Sequence, residues 1–220
     1  MKKGIIIVFS AFLCVMVLGI LGAETGKIHS ETETMKEVGK IFASSEKEDM
    51  NTDIYAIGKS GGVITKEEIN MATDFYIAVG FDEEQAKDKA IDYMLKREAL
   101  YQNAMAEGYG VSDSEIWNYI ERLKEVLDNS TNTKDVYALM SQFESEEEYW
   151  QFEYKVYQKN IPIEKYLEDL KKRFYDSNIE TYQISSELSI DEQYEEYIEL
   201  LKEDLAIKED FQIIEKRGQE

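Results

Sequence analysis

The chain has 220 residues, of which 46 are Asp or Glu and 25 are Lys or Arg, so its formal net charge at pH 7 is −21. Phosphate backbones repel such an acidic chain, which argues against nucleic-acid binding. With one Cys and one His, the chain cannot build a disulfide framework of its own or a metal site from several Cys or His ligands. No cofactor is expected. One Pro among 12 Gly predicts long helices rather than an all-β fold.

The first 23 residues have the pattern of an export signal or a membrane anchor. Lys2 and Lys3 precede an apolar run over residues 4–23, which is about the length that a helix needs to cross a bilayer. The basic residues before this run and the acidic residues after it place the rest of the chain outside the membrane. Leu21-Gly22-Ala23 offers a cleavage site after Ala23. The length of the run leaves both cleavage and retention as an anchor open.

Residues 24–53 are rich in Ser, Thr, Glu and Lys and show no sustained hydrophobic period. This composition predicts a flexible polar linker between the membrane and a folded domain. His29, the only histidine, lies in this segment. No obvious metal-ligating partners accompany it there, so the linker is not expected to contain a site.

From residue 54 onward, the sequence predicts a mainly α-helical domain. A short strand over Ile54–Ile57 leads into a glycine-rich turn. Beyond it, certain Ser, Thr or Asp residues stand three positions before a Glu or Gln, as in a capping box, where both side chains satisfy backbone N–H groups at a helix start. The five helix starts predicted in this way are Thr65, Asp82, Ser112, Ser145 and Ser189.

Glycines and the single proline predict where the helices end. Gly80 is expected to end the first helix and Gly108 the second, because glycine favours the left-handed backbone found just beyond a helix. Pro162 cannot continue a straight helix without the loss of a hydrogen bond, so a break is expected near Ile161. A short strand over residues 211–214 is expected after the last helix.

One motif fragment imitates a nucleotide-binding site. Gly58-Lys59-Ser60 looks like the end of a phosphate-binding loop, but Asp53 stands where that motif requires glycine. Two more glycines follow in place of a helix. A hairpin turn is therefore the favoured interpretation.

Three short sequences carry a resemblance to a known family. Ile64-Thr65-Lys66-Glu67-Glu68 opens the first helix, and Gly110-Val111-Ser112-Asp113-Ser114-Glu115 turns the long second helix into the next. Tyr197-Ile198-Glu199-Leu200-Leu201-Lys202 lies near the end of the chain. In this order, the motifs resemble the N-terminal helical region and the closing segment of the SurA and PrsA family of exported folding factors. The resemblance spans roughly residues 54–207.

The composition of residues 1–53 and this resemblance together predict a division of the chain into four parts. Residues 1–23 are a signal peptide or membrane anchor, and residues 24–53 are the polar linker. Residues 54–176 form a helical domain like the SurA N-terminal domain, with the multi-helix architecture also known from trigger factor. Residues 177–220 supply a C-terminal helix and a short strand that close the same module.

The enzyme domain of that family has no counterpart in this chain. In those folding factors, a parvulin-type prolyl isomerase domain often lies between the helical region and the closing segment. Here only residues 175–188 separate the two, far fewer than the roughly 50 residues of a small domain. His29 in the linker and Cys14 in the apolar run cannot assemble an isomerase site. We therefore expect no catalytic, cofactor-binding or metal-binding residue and no enzymatic activity.

The resemblance implies an exported, chaperone-like protein of a bacterial envelope, most simply a Gram-positive one, that is either secreted or membrane-anchored. Its expected partners are unfolded or nascent polypeptides, together with the membrane if residues 4–23 are retained. The 15 Tyr, 9 Phe, 2 Trp and 8 Met could supply an adaptable binding surface, but the sequence does not select the residues that contact a client. The alternative is an adaptor that uses the same module for one dedicated protein partner. A large concave apolar cleft would favour the chaperone, and the oligomeric state is left open.

Overall fold

The structure, a computed structural model, describes residues 31–45, 53–131, 133–178 and 189–214. These residues are mainly helical, which confirms the predicted class. The helices are α1 (Glu31–Ser45), α2 (Lys66–Ala78), α3 (Glu83–Ala106), α4 (Asp113–Asp128), α5 (Lys134–Met140), α6 (Glu146–Asn178) and α7 (Ile190–Glu209). The strands are β1 (Ile54–Ile57), β2 (Val63–Thr65) and β3 (Gln212–Ile213).

The three strands form a small antiparallel sheet in the order β2-β1-β3. Ala56 of β1 lies opposite Ile64 on one side and opposite Ile213 on the other. Both strands predicted from the sequence, at the start and at the end of the folded region, are therefore confirmed. Because β3 pairs with β1, the sheet joins the two ends of the region from residue 53 to residue 214.

The predicted signal or anchor segment, residues 1–23, lies outside the described residues. Within the part of the chain that the structure does describe, no helix combines the length and the apolar character needed to cross a membrane. Export and cleavage after Ala23 stay predictions.

The helices begin where the capping pattern predicts. Full capping boxes begin three of them, at Thr65 for α2, Ser112 for α4 and Ser189 for α7. Asp82 caps α3 by accepting the N–H of Gln85. At α6, Ser145 Oγ accepts the N–H of Glu148, whereas the Glu148 carboxylate accepts the N–H of Glu144. Short-range hydrogen bonding therefore sets these helix starts.

Glycine ends the first two predicted helices as expected. Gly80 follows α2 with φ of 109°, and Gly108 follows α3 with φ of 89°. Side chains with a Cβ rarely adopt this conformation. The chain can therefore reverse direction at both positions without strain.

The helix break predicted at Pro162 is wrong, because α6 runs from Glu146 to Asn178 with this proline inside it. An internal proline removes one backbone hydrogen bond and costs about 3 kcal/mol. Ile161 and Ile163 on either side of it are buried in the core, where each contributes about 1.5–3 kcal/mol. Packing of the two isoleucines therefore outweighs the local preference of proline.

The flexible linker predicted over residues 24–53 is wrong for residues 31–45, which form α1. Val38 and Phe42 of this helix are buried in the main core. The Phe42 ring stacks on that of Phe152 in α6, with 5.1 Å between the centroids. The apolar stripe of α1 is narrow and lies among charged residues, so the polar composition concealed it. The helix belongs to the fold and packs against α2 and α5.

The long helix α3 lies at the centre of the described structure, where it packs against α2, α6, α7 and β2. Its second half joins α6 and α7 in an apolar group of its own, separate from the main core. The buried members of this group are Leu100, Ala104, Ile163, Tyr166, Leu170, Tyr194 and Ile198. The position of α7 therefore depends on its packing against α3 and α6.

A largely buried ion pair connects α3 to α6. Lys159 Nζ lies 2.7 Å from Glu98 Oε2 and 3.4 Å from Glu68 Oε1 of α2. Gln102 Nε2 donates to the other oxygen of Glu98 at 2.8 Å. A Cβ on Gly62 would lie 2.8 Å from that same oxygen. A side chain at residue 62 would therefore displace the side chains of Glu98 and Gln102 from these contacts.

Glu209, the last residue of α7, is buried against the β1–β2 turn. Its carboxylate accepts hydrogen bonds from the Ser60 N–H at 2.9 Å and from the Ser60 hydroxyl. Its carbonyl oxygen accepts the N–H of Lys59 at 2.7 Å. The absence of a side chain at Gly58 leaves room for the carboxylate. We call this set of contacts the Glu209 clamp.

We expect Glu209→Ala to lower the free energy of unfolding by about 1–2 kcal/mol. The variant loses two hydrogen bonds to a charged acceptor, and the removal of a negative charge at a helix C-terminus offsets part of that loss. Urea denaturation followed by circular dichroism measures the change. Glu196→Ala, at an exposed position on the same helix, is the control. A loss no larger than that of the control would contradict the clamp.

Candidate functional site

A cavity of about 380 Å³ opens between α3, α6 and α7. Its volume lies within the range of about 300–1,000 Å³ that is typical of small-molecule sites. Its lining residues are Tyr76 of α2, Lys89, Asp92, Tyr93, Lys96, Arg97 and Leu100 of α3, Asn160, Ile163, Glu164 and Leu167 of α6, and Glu199 and Lys202 of α7. The cavity has room for a small molecule or a single side chain.

Two buried polar residues meet in the cavity wall. Arg97 is 9% exposed and Asn160 is 4% exposed. The guanidinium donates to Asn160 Oδ1 from Nη2 at 2.9 Å and from Nε at 3.3 Å. Because these residues belong to α3 and α6, the bonds bridge the two helices and fix the plane of the guanidinium.

The orientation of the Asn160 amide follows from these bonds, because a guanidinium can only donate. Oδ1 must face Arg97, which leaves Nδ2 on the other side of the amide. Nδ2 is buried and has no hydrogen-bond acceptor among the described residues. A buried donor without an acceptor costs roughly 1–3 kcal/mol. This position therefore favours an acceptor that the described protein does not supply.

Ion pairs surround the cavity. Lys96 Nζ lies 3.0 Å from the Asp92 carboxylate and 3.7 Å from that of Glu203, and Lys202 Nζ lies 2.6 Å from Glu199. Among the lining residues, four cations face three carboxylates. Glu203 beside Lys96 adds a fourth carboxylate, so the charges around the cavity balance, within a chain whose net charge is −21.

Tyr76 and Tyr93 add phenol groups to the cavity wall. Burial raises the pKa of Tyr76 to about 12, with smaller contributions from the neighbouring Tyr93 and Asp92. Burial also raises the pKa of Tyr93, against the opposing effect of the Arg97 charge. Both phenols are therefore protonated at neutral pH and can donate a hydrogen bond.

Glu164 is the lining residue whose charge changes near neutral pH. Burial raises the pKa of its carboxyl group to about 7, and the charge of Glu168 acts in the same direction. A hydrogen bond with Tyr119 lowers the pKa but does not cancel the effect of burial. The charge of the cavity wall therefore depends on pH around neutrality.

A second surface feature is an apolar face on the outer side of α7, formed by Tyr197, Leu200 and Ile207. Leu200 is 60% exposed and Ile207 is 77% exposed. They are seven residues apart, so they lie about 10 Å from each other on one side of the helix. The buried residues Tyr194 and Ile198 lie on the other side. We call this surface the α7 outer face.

The strand β3, which follows α7, forms one edge of the sheet. Ile213 of this strand and Ile214 beyond it are both exposed. The outer side of an edge strand presents backbone N–H and C=O groups to a possible added strand. An extended polypeptide can pair with such an edge whatever its sequence.

Sequence analysis selects none of the cavity residues as a site. Arg97 continues the three- and four-residue spacing of Ala90, Tyr93 and Met94 in the sequence, and an arginine at such an apolar position is the signal that could have identified it. No local signal marks Asn160, because its partner lies 63 positions away in the chain. The cavity therefore depends on tertiary packing that helix periodicity does not reveal.

The phosphate-loop fragment Gly58-Lys59-Ser60 lies in the hairpin turn between β1 and β2, as predicted. Both donors of Ser60 are directed to Glu209. In the ranges that the structure describes, no group of three or more His, Cys, Asp or Glu side chains is arranged to hold a metal ion. His29 and Cys14 lie outside those ranges.

No family model matches the chain, and neither a curated protein nor a solved structure is significantly similar to it. The resemblance to exported folding factors, noted from the short motifs, therefore stays a prediction.

We expect Glu164→Gln to be more stable than the wild type at pH 8 by roughly 1–3 kcal/mol and to differ little from it at pH 5. The folded wild type binds the Glu164 proton more tightly than the unfolded chain does, so its stability falls as the pH rises from about 4.5 to about 7. Glutamine stays neutral and avoids this loss.

Urea denaturation of both proteins at pH 5 and pH 8 measures this difference. Asp88→Asn, which removes an exposed carboxylate of α3, controls for the change in net charge. A stability difference that is the same at both pH values would contradict the assignment to Glu164.

Proposed function

We propose that this protein is a non-catalytic, chaperone-like protein of the cell envelope that holds unfolded or nascent polypeptides. The exposed apolar side chains of the α7 outer face, together with the edge strand β3 that follows α7 in the chain, are the observation that carries the proposal. Leu200 and Ile207 offer apolar anchors, and the edge strand offers hydrogen bonds that do not depend on side-chain identity. Both features suit clients of varied sequence.

The energetics of this surface fit transient binding. Each anchor contributes about 1.5–3 kcal/mol when it is fully buried, and association itself costs several kcal/mol. The expected affinity is therefore weak enough to permit release. The net charge of −21 keeps a protein with exposed apolar side chains soluble and attracts basic segments of a client.

The cavity between α3, α6 and α7 is not the client groove in this proposal. A chaperone groove is expected to be large and apolar, whereas this cavity has about 380 Å³ and a wall that contains seven charged side chains. An extended polypeptide does not fit into it. The α7 outer face and β3 are open to solvent and can accept a longer segment.

The resemblance to SurA- and PrsA-type folding factors supports the same function. Its closing motif, Tyr197-Ile198-Glu199-Leu200-Leu201-Lys202, lies in α7 and contains part of the α7 outer face. Residues 1–23 would deliver the module to the outer side of the membrane, either cleaved or as an anchor. The alternative function, an adaptor for one dedicated partner, would use the same surface for a single folded protein.

We expect the full-length protein, kept in a mild detergent, to suppress the aggregation of a denatured client at near-stoichiometric ratios. Replacement of both anchors, Leu200→Gln with Ile207→Gln, should reduce this suppression several-fold, because the apolar contact with the client is lost. Light scattering after dilution of the client measures aggregation. Val126→Gln, at an exposed apolar position on α4, is the matched variant.

An equally acidic, inert protein in the same detergent controls for charge, which slows aggregation by itself. If the protein suppresses the aggregation of several clients no better than this control does, the chaperone proposal is contradicted. If the double variant suppresses aggregation as well as the wild type does, the α7 outer face is not the client-binding surface. Tight binding of one folded envelope protein, without any effect on denatured clients, would establish the adaptor instead.

A further inference from the structure

The Arg97–Asn160 pair gives the cavity wall a strong preference for hydrogen-bond acceptors. The guanidinium of Arg97 has only donors. The Oδ1 of Asn160 is taken by Arg97, and its buried Nδ2 has no acceptor in the described part of the chain. The protonated phenols of Tyr76 and Tyr93 line the same cavity and can donate as well. An oxygen-bearing group in the cavity would therefore meet donors on the guanidinium and on the two phenols.

The guanidinium of Arg97 favours an anionic acceptor over a neutral one. Arg97 contributes a permanent positive charge, and Lys89, Lys96 and Lys202 add three more around the same space. Carboxylates pair with two of these lysines, Asp92 and Glu203 with Lys96 and Glu199 with Lys202. The hydrogen bonds between Arg97 and Asn160 join the guanidinium to a neutral amide, so its positive charge can attract an anion in the cavity. Partial burial strengthens this attraction relative to that in bulk water.

The rest of the wall is apolar. Leu100 and Ile163 are buried side chains of the group shared by α3, α6 and α7, and Leu167 packs against that group. All three line the cavity. A hydrocarbon body placed here is removed from water, which favours binding in proportion to the apolar surface that it buries. The volume limits this body to a small size.

From these observations, we propose that the cavity binds a carboxylate group on a small apolar body, which is either a free organic acid or the C-terminal residue of a polypeptide. The carboxylate lies against Arg97 and Asn160, and the apolar body contacts Leu100, Ile163 and Leu167. This site is separate from the α7 outer face, so its existence does not depend on the chaperone function.

N-acetyl-leucine is the probe for the site, and N-acetyl-leucinamide, which lacks the negative charge, is its matched control. Titration of the ¹⁵N-labelled full-length protein in detergent micelles follows the side-chain amide signal of Asn160 by NMR. We expect this signal to shift with saturation as the acid is added. The amide should bind at least tenfold more weakly. A pentapeptide that ends in leucine, with a free or an amidated C-terminus, then distinguishes the two sources of the carboxylate.

Two variants test the location of the site by different means. Arg97→Lys keeps the charge but loses the planar donor group, and it should weaken binding of the acid at least fivefold. Leu167→Trp fills the cavity from its apolar side and should abolish binding while Arg97 and Asn160 stay intact. Lys172→Gln, at an exposed position outside the cavity, should bind as the wild type does. Circular dichroism shows that each variant is folded.

If the acid binds to the wild type and Leu167→Trp abolishes this binding, the site is supported, whether or not the free pentapeptide also binds. Binding of the amide as tightly as the acid would overturn the carboxylate assignment. The absence of a saturable shift with any probe would overturn the proposal as a whole. The Leu200→Gln, Ile207→Gln double variant should bind the acid normally, so a failure of the chaperone assay and a failure of this site are distinguishable.

Discussion

The contact between Glu209 and the turn after β1 is the constraint on which both candidate surfaces depend. A carboxylate at the C-terminal end of a helix faces unfavourable backbone dipoles, so its burial there requires donors from elsewhere. Ser60 supplies both of them, from its N–H and its hydroxyl, and the Lys59 N–H adds a hydrogen bond to the main-chain carbonyl oxygen of Glu209. The contact holds the end of α7 against the first hairpin and leads the chain directly into β3. α7 in turn brings Glu199 and Lys202 to the cavity and turns Leu200 and Ile207 outward.

Two polar crosslinks set the register between α3 and α6. Arg97 bonds Asn160, and the next residue, Glu98, pairs with the preceding one, Lys159. The reversed order of the partners is the order expected where two helices run antiparallel. Buried polar pairs add little net stability compared with apolar packing, but they penalise a shifted alignment, because a shift would leave charged groups unpaired. The same register that satisfies the ion pair therefore positions the amide of Asn160 in the cavity wall.

The sequence predicts the starts and ends of helices correctly where the contacts that determine them are short in range. Capping residues and terminal glycines act within a few positions, so the starts of α2, α3, α4, α6 and α7 and the ends of α2 and α3 could be predicted. The prediction fails where distant packing overrides the local preference, as at Pro162 inside α6 and at Phe42 in a segment of polar composition. The cavity could not be predicted for the same reason, since its central bond joins residues 63 positions apart. The predicted chaperone module stays a prediction.

The closure of the sheet has a consequence for the order in which the chain can fold. β1 belongs to the first part of the module, whereas its partner β3 and the carboxylate of Glu209 follow α6 in the chain and are synthesised after it. Because the chain is synthesised from its N-terminus, it can form the β1–β2 hairpin and α2 to α6 before β3 and Glu209 are made. Until then, the second edge of β1 is open. Contacts of such large sequence separation slow folding, so the incomplete module passes through a state in which this unpaired strand edge is prone to aggregation.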